Sequence, residues 1–311
     1  MNFSEFPGTY VSSPESHIRI NNYPNEKSGV TPIQIATFNR PEKLNAMTSQ
    51  MINDLISFLS AADKDDRIKV VIITGEGKVF CAGIDLNMDT RKINTTPIRE
   101  MRDPGGVLAM TMFNCSKPVI VAYNGLSVGI GMTSTLASTL RVAPKNSEFG
   151  FPFSRIGLTM ESCSSFFLPR MVGYSNATYL LGTGRRFRAD SPVLQGIFAE
   201  LVDEPSQVLP KALEIAQDIM DNVSTVALYL NRQMMWRDPG SIEKAHLIDS
   251  PVLYDRFASK DHQEFKASFF GKRKPHFEET LAANPARTYP WWTEISTAVK
   301  GNIIGMAKPK I

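Results

Sequence analysis

Cysteine and histidine are scarce in this sequence, and their scarcity removes whole classes of chemistry. The three cysteines, Cys81, Cys115 and Cys163, lie far apart without a CxxC pair, which argues against a disulfide framework and against a zinc site. The four histidines, His17, His246, His262 and His276, show no ligand spacing such as HxxxH, so no metal is expected. No apolar run approaches the roughly 18–20 residues that a membrane-spanning helix requires. The N-terminus lacks a basic stretch followed by an apolar core, so it does not read as a secretory signal. An intracellular soluble protein is expected. Charge of one sign is missing too: 34 basic residues against 31 acidic leave +3. No run of five or six like charges occurs, so no nucleic-acid or membrane partner is expected. The short basic clusters, Arg185-Arg186 with Arg188 and Lys272-Arg273-Lys274, are of a size usually found on solvated surface.

What is present is enough apolar material for a sizeable core, 42% of 311 residues, in one large domain or two ordinary ones. Residues 1–16 are polar and contain Pro and Ser, and they are expected to be disordered. Two strand-like runs lie between His17 and Asn39, the second carrying Ile33, Ile35 and Phe38. Thr48 reads as a helix N-cap, and Met51, Leu55, Phe58, Leu59 and Ala62 recur behind it at helical spacing as far as Asp63. Lys69–Thr74 (KVVIIT) and Pro118–Tyr123 (PVIVAY) are short apolar, β-branched runs, read as buried strands. Strands alternate with helices to about residue 202, which indicates an α/β architecture with mainly parallel strands. Residues 205–270 read as three or four consecutive helices. The expected organisation is therefore a core over 17–204, a helical region over 205–278 and a tail over 279–311.

Each buried strand runs into a turn of small residues: Val79-Phe80-Cys81-Ala82-Gly83-Ile84-Asp85-Leu86 after the first, Asn124-Gly125-Leu126-Ser127-Val128-Gly129-Ile130-Gly131 after the second. Ligands of α/β sheets bind at such strand ends. Two such turns side by side can aim backbone N–H groups at one oxygen, as a reaction that forms a thioester enolate requires. A plain turn is the commoner use of such glycines. Gly125-Leu126-Ser127-Val128-Gly129 also fits the GxSxG elbow of serine hydrolases, which keeps a third reading open.

Four segments in order give a specific resemblance. Asn39-Arg40-Pro41-Glu42-Lys43-Leu44-Asn45-Ala46, KVVIIT–GEGKVFCAGIDL, KPVIVAYNGLSVGIG, and Ser259-Lys260-Asp261-His262-Gln263-Glu264 with Phe270-Gly271-Lys272-Arg273-Lys274-Pro275-His276-Phe277 resemble the sequence elements of the crotonase (enoyl-CoA hydratase/isomerase) superfamily. The resemblance implies a spiral of β-β-α units with a C-terminal helical subdomain, and assembly into a homotrimer or homohexamer. It also implies an acyl-CoA thioester substrate and no cofactor beyond that coenzyme A. Carried over by position, it puts oxyanion donors at the N–H groups of Ile84 and Ile130 and substrate-lining positions at Ala82, Gly83, Ile84, Asp85 and Leu86. Lys43 and Lys272 become candidate contacts to the phosphates.

At the two positions where hydratases of this superfamily carry glutamates stand Thr133 and Phe153. The run PFSRIGLTMESCSSFFLP is similar to that of peroxisomal 3-enoyl-CoA to 2-enoyl-CoA isomerases, and the similarity implies Glu161 as the single acid/base. Ser162 takes the place of that family's glycine. The final Pro309-Lys310-Ile311 resembles a peroxisomal address with an import receptor as partner, the cytoplasm being the alternative location. A hydratase of a specialised biosynthetic pathway and a non-catalytic acyl-CoA-binding protein remain the rival readings within the superfamily.

Overall fold

The apolar runs become strands buried on both faces. In the computed structural model, which describes residues 6–87 and 97–297, strands and helices alternate through the first part of the chain. They are β1 (Ile18–Tyr23), β2 (Ile33–Phe38), α1 (Ser49–Lys64), β3 (Val70–Gly75), β4 (Val79–Cys81), α2 (Pro104–Asn114), β5 (Val119–Ala122), β6 (Leu126–Val128), α3 (Ile130–Thr133), β7 (Leu140–Pro144), β8 (Glu148–Gly150), α4 (Ser164–Thr183), β9 (Arg186–Arg188) and β10 (Glu200–Val202). Helices then follow one another: α5 (Val208–Asn222), α6 (Thr225–Trp236), α7 (Ile242–Phe257) and α8 (Lys260–Phe270).

Each turn of the chain sends one strand to each of two sheets. The larger sheet is ordered β1-β2-β3-β5-β7-β10 and the smaller β4-β6-β8-β9. Pairing is parallel except between β1 and β2 and between β8 and β9. The α/β class with mainly parallel strands is the one expected. The continuous apolar character of β3 has a direct cause. Val71 and Ile73 face the core shared with α1, α2 and the smaller sheet, whereas Val70 and Ile72 face Val208, Ala212, Ala216 and Ile219 of α5. A strand covered on both faces has no polar alternation to show. In α1 the Thr48 hydroxyl accepts the Met51 N–H at 3.2 Å, and Met51, Leu55, Phe58, Leu59 and Ala62 are all buried, as their spacing predicts.

The described segments before β1 and after α8 are more engaged than their composition suggests. From residue 6 the N-terminal segment lies along the core: Tyr10 stands edge-on to Phe58 with centroids 5.8 Å apart, and its hydroxyl donates to Asp65 at 3.1 Å. In the segment after α8, Glu279, Thr280 and Ala286 are buried, and Ala286 joins Val226, Tyr229, Leu230 and Val252 in a small satellite core.

Arg232 fastens α6 to α2 and to the segment after α3. It is buried, its guanidinium donates to the Phe113 carbonyl at 2.7 Å and to the Ala137 carbonyl, and it lies 4.7 Å from the centre of the Phe113 ring. Burial lowers its pKa to about 10, so it stays charged at neutral pH. Arg232→Ala takes the charged donor from the Ala137 and Phe113 carbonyls, leaving Phe113 the Gln233 side chain at 3.3 Å, and opens a cavity. A loss of about 2–4 kcal/mol in urea unfolding is expected, and an unchanged midpoint would show that α6 is held by its apolar contacts alone.

Candidate active site

Three adjoining parallel strands of the smaller sheet deliver the site. Val79 pairs with Leu126 and Cys81 with Ser127, then Ser127 with Phe149 and Val128 with Gly150. The segments leaving β4, β6 and β8 therefore depart from one end of the sheet, where α/β folds bind ligands. They lead to Ile84, Ile130 and Glu161 respectively. Gly83 has φ +103° and Gly129 φ +56°, values that a side chain would strain. The two glycines also meet, since a Cβ at Gly129 would stand 3.8 Å from Gly83 Cα.

That close approach turns two backbone donors outward. The bridge between Met47 and Ile84 uses the Met47 N–H on the Gly83 carbonyl (2.8 Å) and the Asp85 N–H on the Met47 carbonyl (2.9 Å), which leaves the Ile84 N–H outside the ladder. Ile130 opens α3, with no residue of that helix before it to accept its N–H. Among the described residues neither N–H donates to a protein acceptor. The pair has the chemistry of an oxyanion hole: fixed donors on adjoining turns, with no reorganisation needed when charge develops.

Glu161 supplies the titratable group. Its carbonyl is anchored by the Ser164 N–H (3.0 Å) and hydroxyl (2.5 Å) as α4 begins. Its Oε1 is hydrogen-bonded by the Thr133 hydroxyl and its Oε2 by the Ser162 hydroxyl. Gly105, in the first turn of α2, packs directly on this group: a Cβ there would collide with Oε2 and with the Ser162 hydroxyl, and would stand 3.2 Å from Ile130 Cδ1. Burial raises the pKa of Glu161, the two hydroxyls pull it back, and the charge of Asp103 adds to the rise. Asp103 itself caps α2 through the Gly106 N–H (2.5 Å) and also accepts the Ser162 N–H at 3.1 Å. Ser162 has φ +56°, so the resemblance to a glycine at this position has a backbone reason, and its hydroxyl is the gain set against the strain.

The enoyl-CoA hydratase/isomerase family profile matches residues 26–280. This chain belongs to the enoyl-CoA hydratase/isomerase family. An Alternaria alternata protein named enoyl-CoA hydratase AFT3-1 is 43% identical over 82% of this chain and 85% of its own length. A 1,2-epoxyphenylacetyl-CoA isomerase of Escherichia coli is 30% identical over 79% and 94%. The crystal structure of an enoyl-CoA hydratase from Bacillus anthracis shares the fold, with a TM-score of 0.72 at 23% identity over 85% of this chain and 99% of that one. Membership of the crotonase superfamily is thus established, while the particular likeness to peroxisomal isomerases finds no counterpart in these relatives.

In this chain the opening Asn-Arg-Pro segment acts as a structural clamp. Arg40 donates to the Ala46 carbonyl (2.7 Å) and to Asp85 (3.0 Å), and buried Asn45 donates to the Glu76 (2.9 Å) and Val79 (2.7 Å) carbonyls. Asp85 is thereby committed to holding its turn; the Asn87 N–H, and then Arg40, lower its pKa. Ala82 donates its N–H to the Leu44 carbonyl at 3.0 Å, Ile84 is partly exposed and Leu86 fully so. Lys43 and Lys272 are both exposed. Lys272 follows α8, and no hydrogen bond or ion pair among the described residues joins it to the site. Pro309, Lys310 and Ile311 lie outside the described residues. Ser127 is fully buried in β6 with no partner for its hydroxyl among the described residues, the opposite of an exposed, base-activated nucleophile. Phe153 is buried, whereas Thr133 turns out to touch Glu161, a contact that sequence position alone does not reveal.

Gly105→Ala places a methyl group against the Glu161 carboxyl. Displacement of a reacting group by about 1 Å can cost about 10²-fold in rate, so under the acid/base role proposed below for Glu161 a fall in kcat of that order is expected, together with an overpacking cost of about 1–3 kcal/mol. Full activity in this variant would show that the carboxyl position is not critical.

Proposed function

We propose that the protein shifts the double bond of a 3-enoyl-CoA to give a 2-enoyl-CoA, with Glu161 as its only acid/base. The observation that carries this reading is one carboxyl, drawn out of water and packed through Gly105 against Ile130. Glu161 breaks the C2–H bond and takes the proton. The electron pair moves through C1 to the thioester oxygen, which meets the N–H groups of Ile84 and Ile130, and the same carboxyl returns the proton at C4. Raised proton affinity suits both halves of this shuttle. Thr133 and Phe153 do not titrate near neutral pH, so neither supplies the second acid/base group that two-carboxylate water addition uses. In this reading Ala82 to Leu86 line the thioester and adenine end, and Lys43 and Lys272 meet phosphates.

Hydration of a 2-enoyl-CoA in a specialised pathway is the second reading. The hydratase name of the Alternaria relative favours it, as does Asp103, a second carboxylate whose charge acts on Glu161. Asp103 is, however, engaged by two backbone N–H groups. We further infer a homotrimer or homohexamer. Exposed Leu253, Phe257, Phe265, Phe269 and Phe270 on α7 and α8 form the kind of apolar surface that assembly covers.

Incubation with 3-enoyl- and 2-enoyl-CoA esters, with chromatography to separate isomers and mass spectrometry to detect added water, tests the reaction. Isomerised product is expected, and Glu161→Gln is expected to lower kcat by at least about 10²-fold with affinity for a non-reactive acyl-CoA retained. In the wild type kcat/KM falls on the acid side at a pH above the ordinary glutamate value of about 4.3. The same raised pKa makes this group's contribution to stability complete below that ordinary value and lost as pH rises through the folded one. Glu161→Gln is therefore expected to melt higher than wild type at neutral pH, with the gap closing in acid. Near-normal turnover in the variant, or hydrated product alone, would replace isomerisation by hydration. Binding without turnover of either ester would leave a binding protein.

A peroxisomal location, through an import receptor that reads Pro309-Lys310-Ile311, completes the proposal. An N-terminal fluorescent fusion is expected in puncta and, after deletion of these three residues, in the cytosol. A fusion that is diffuse from the start removes this location.

A further inference from the structure

Thr133 has two acceptors for one hydroxyl hydrogen. Its Oγ1 is in hydrogen-bond contact with Oε1 of Glu161 and lies 3.1 Å from the Gly129 carbonyl oxygen, and a hydroxyl donates one bond at a time. Among the described residues the Ser162 hydroxyl, on the other carboxyl oxygen, reaches Glu161 alone. The Gly129 carbonyl also accepts the N–H groups of Met132 and Thr133, each at 2.9 Å, and it belongs to the same peptide unit as the Ile130 N–H. A further donor on a peptide carbonyl draws electron density away from the nitrogen and strengthens its N–H, an effect of about 10–30% per bond.

The geometry points to Thr133 as a positioning residue that couples the charge on Glu161 to the donor strength of the Ile130 N–H; this rests on the roles given to those two groups above. While Glu161 is ionised, its carboxylate is the stronger acceptor and holds the Thr133 hydrogen. When the C2–H bond breaks, the proton passes to Glu161 and the electron pair moves to the thioester oxygen. The neutral carboxyl is a weaker acceptor, so the hydroxyl hydrogen turns to the Gly129 carbonyl. The Ile130 N–H then strengthens at the step in which the oxygen facing it becomes negative. Return of the proton to C4 reverses both changes. The titratable groups that face Glu161 among the described residues are Asp103, ahead of α2, and the Cys163 thiol, ahead of α4; α3 brings none. Neither group hydrogen-bonds to Thr133.

The test follows the Ile130 amide resonance of the full chain, labelled with ¹⁵N-isoleucine, against pH and beside kcat/KM. The resonance is expected to move with the midpoint of the acid limb of kcat/KM. That movement should vanish in Thr133→Val and Thr133→Ala and return in Thr133→Ser. The two variants without a hydroxyl should lose about 10- to 100-fold in kcat with KM little changed, and Thr133→Ser should recover most of it. A resonance flat across the limb in the wild type overturns the coupling without any variant, and so does a movement that persists in folded Thr133→Val or Thr133→Ala. Glu161→Gln separates the two layers. Turnover kept in that variant removes the acid/base assignment itself, whereas turnover lost there, with Thr133→Val at full kcat, removes the coupling alone.

Discussion

A carboxylate held out of water is the constraint around which this site is built. Removing a charge from water is costly unless hydrogen bonds meet it, and among the described residues Glu161 meets only hydroxyls at its carboxyl group, one on each oxygen. Two neutral donors offset part of the desolvation and leave the proton affinity raised. A lysine or arginine in their place would have fixed the carboxylate as a permanent anion. The surroundings follow from this choice. Gly105 keeps α2 close enough to exclude water, Asp103 anchors the Ser162 backbone, and the start of α4 pins the Glu161 carbonyl.

The strain in the chain is concentrated at the same place. Ser162 and Cys163 are consecutive residues with φ of +56° and +57°, a conformation that costs roughly 1–2 kcal/mol for a residue with a side chain. Glycine at position 162 would relieve one of these costs and lose the hydroxyl on Oε2. Strain of this kind persists where surrounding contacts over-determine it, and here the Asp103 carboxylate on the Ser162 N–H and the α4 turn supply those contacts.

What was legible in the sequence is what depends on near neighbours. Thr48 and the apolar stripe behind it define α1, and the β-branched runs define β3 and β5. The glycines of the two turns mark where backbone donors are exposed, and Glu161 stands out as a lone acid among apolar residues. The strands of the smaller sheet that carry these turns, β4, β6 and β8, have three residues each, too few for periodicity to register. Asp103 and Gly105 look like an ordinary N-cap and first helical turn; their meeting with Glu161 depends on how α2 packs. Tyr10 sits in a segment whose composition resembles disorder, and the segment is held by that aromatic contact with α1 and by hydrogen bonds of Pro7, Ser12 and Pro14 to Arg67, Ile20 and Asn39.

Two buried cations lie behind the site, Arg232 of α6 and Arg141 of β7. Arg232 reaches the carbonyl that ends the α2 segment at Phe113 and the Ala137 carbonyl beyond α3. Arg141 satisfies the Leu136, Ser138 and Ile197 carbonyls from beneath. Neither has a carboxylate partner among the described residues, so each depends on carbonyl dipoles for its solvation, and those of Arg232 come from α2, which carries Gly105, and from the segment after α3, which Ile130 opens. A guanidinium in such surroundings tolerates little displacement, because each carbonyl it leaves loses a charged donor. The distance between α2 and α3 is thus fixed from one side by Arg232 and from the other by the contact of Gly105 with Glu161. The buried carboxyl of Glu161 keeps its place only if both sides hold.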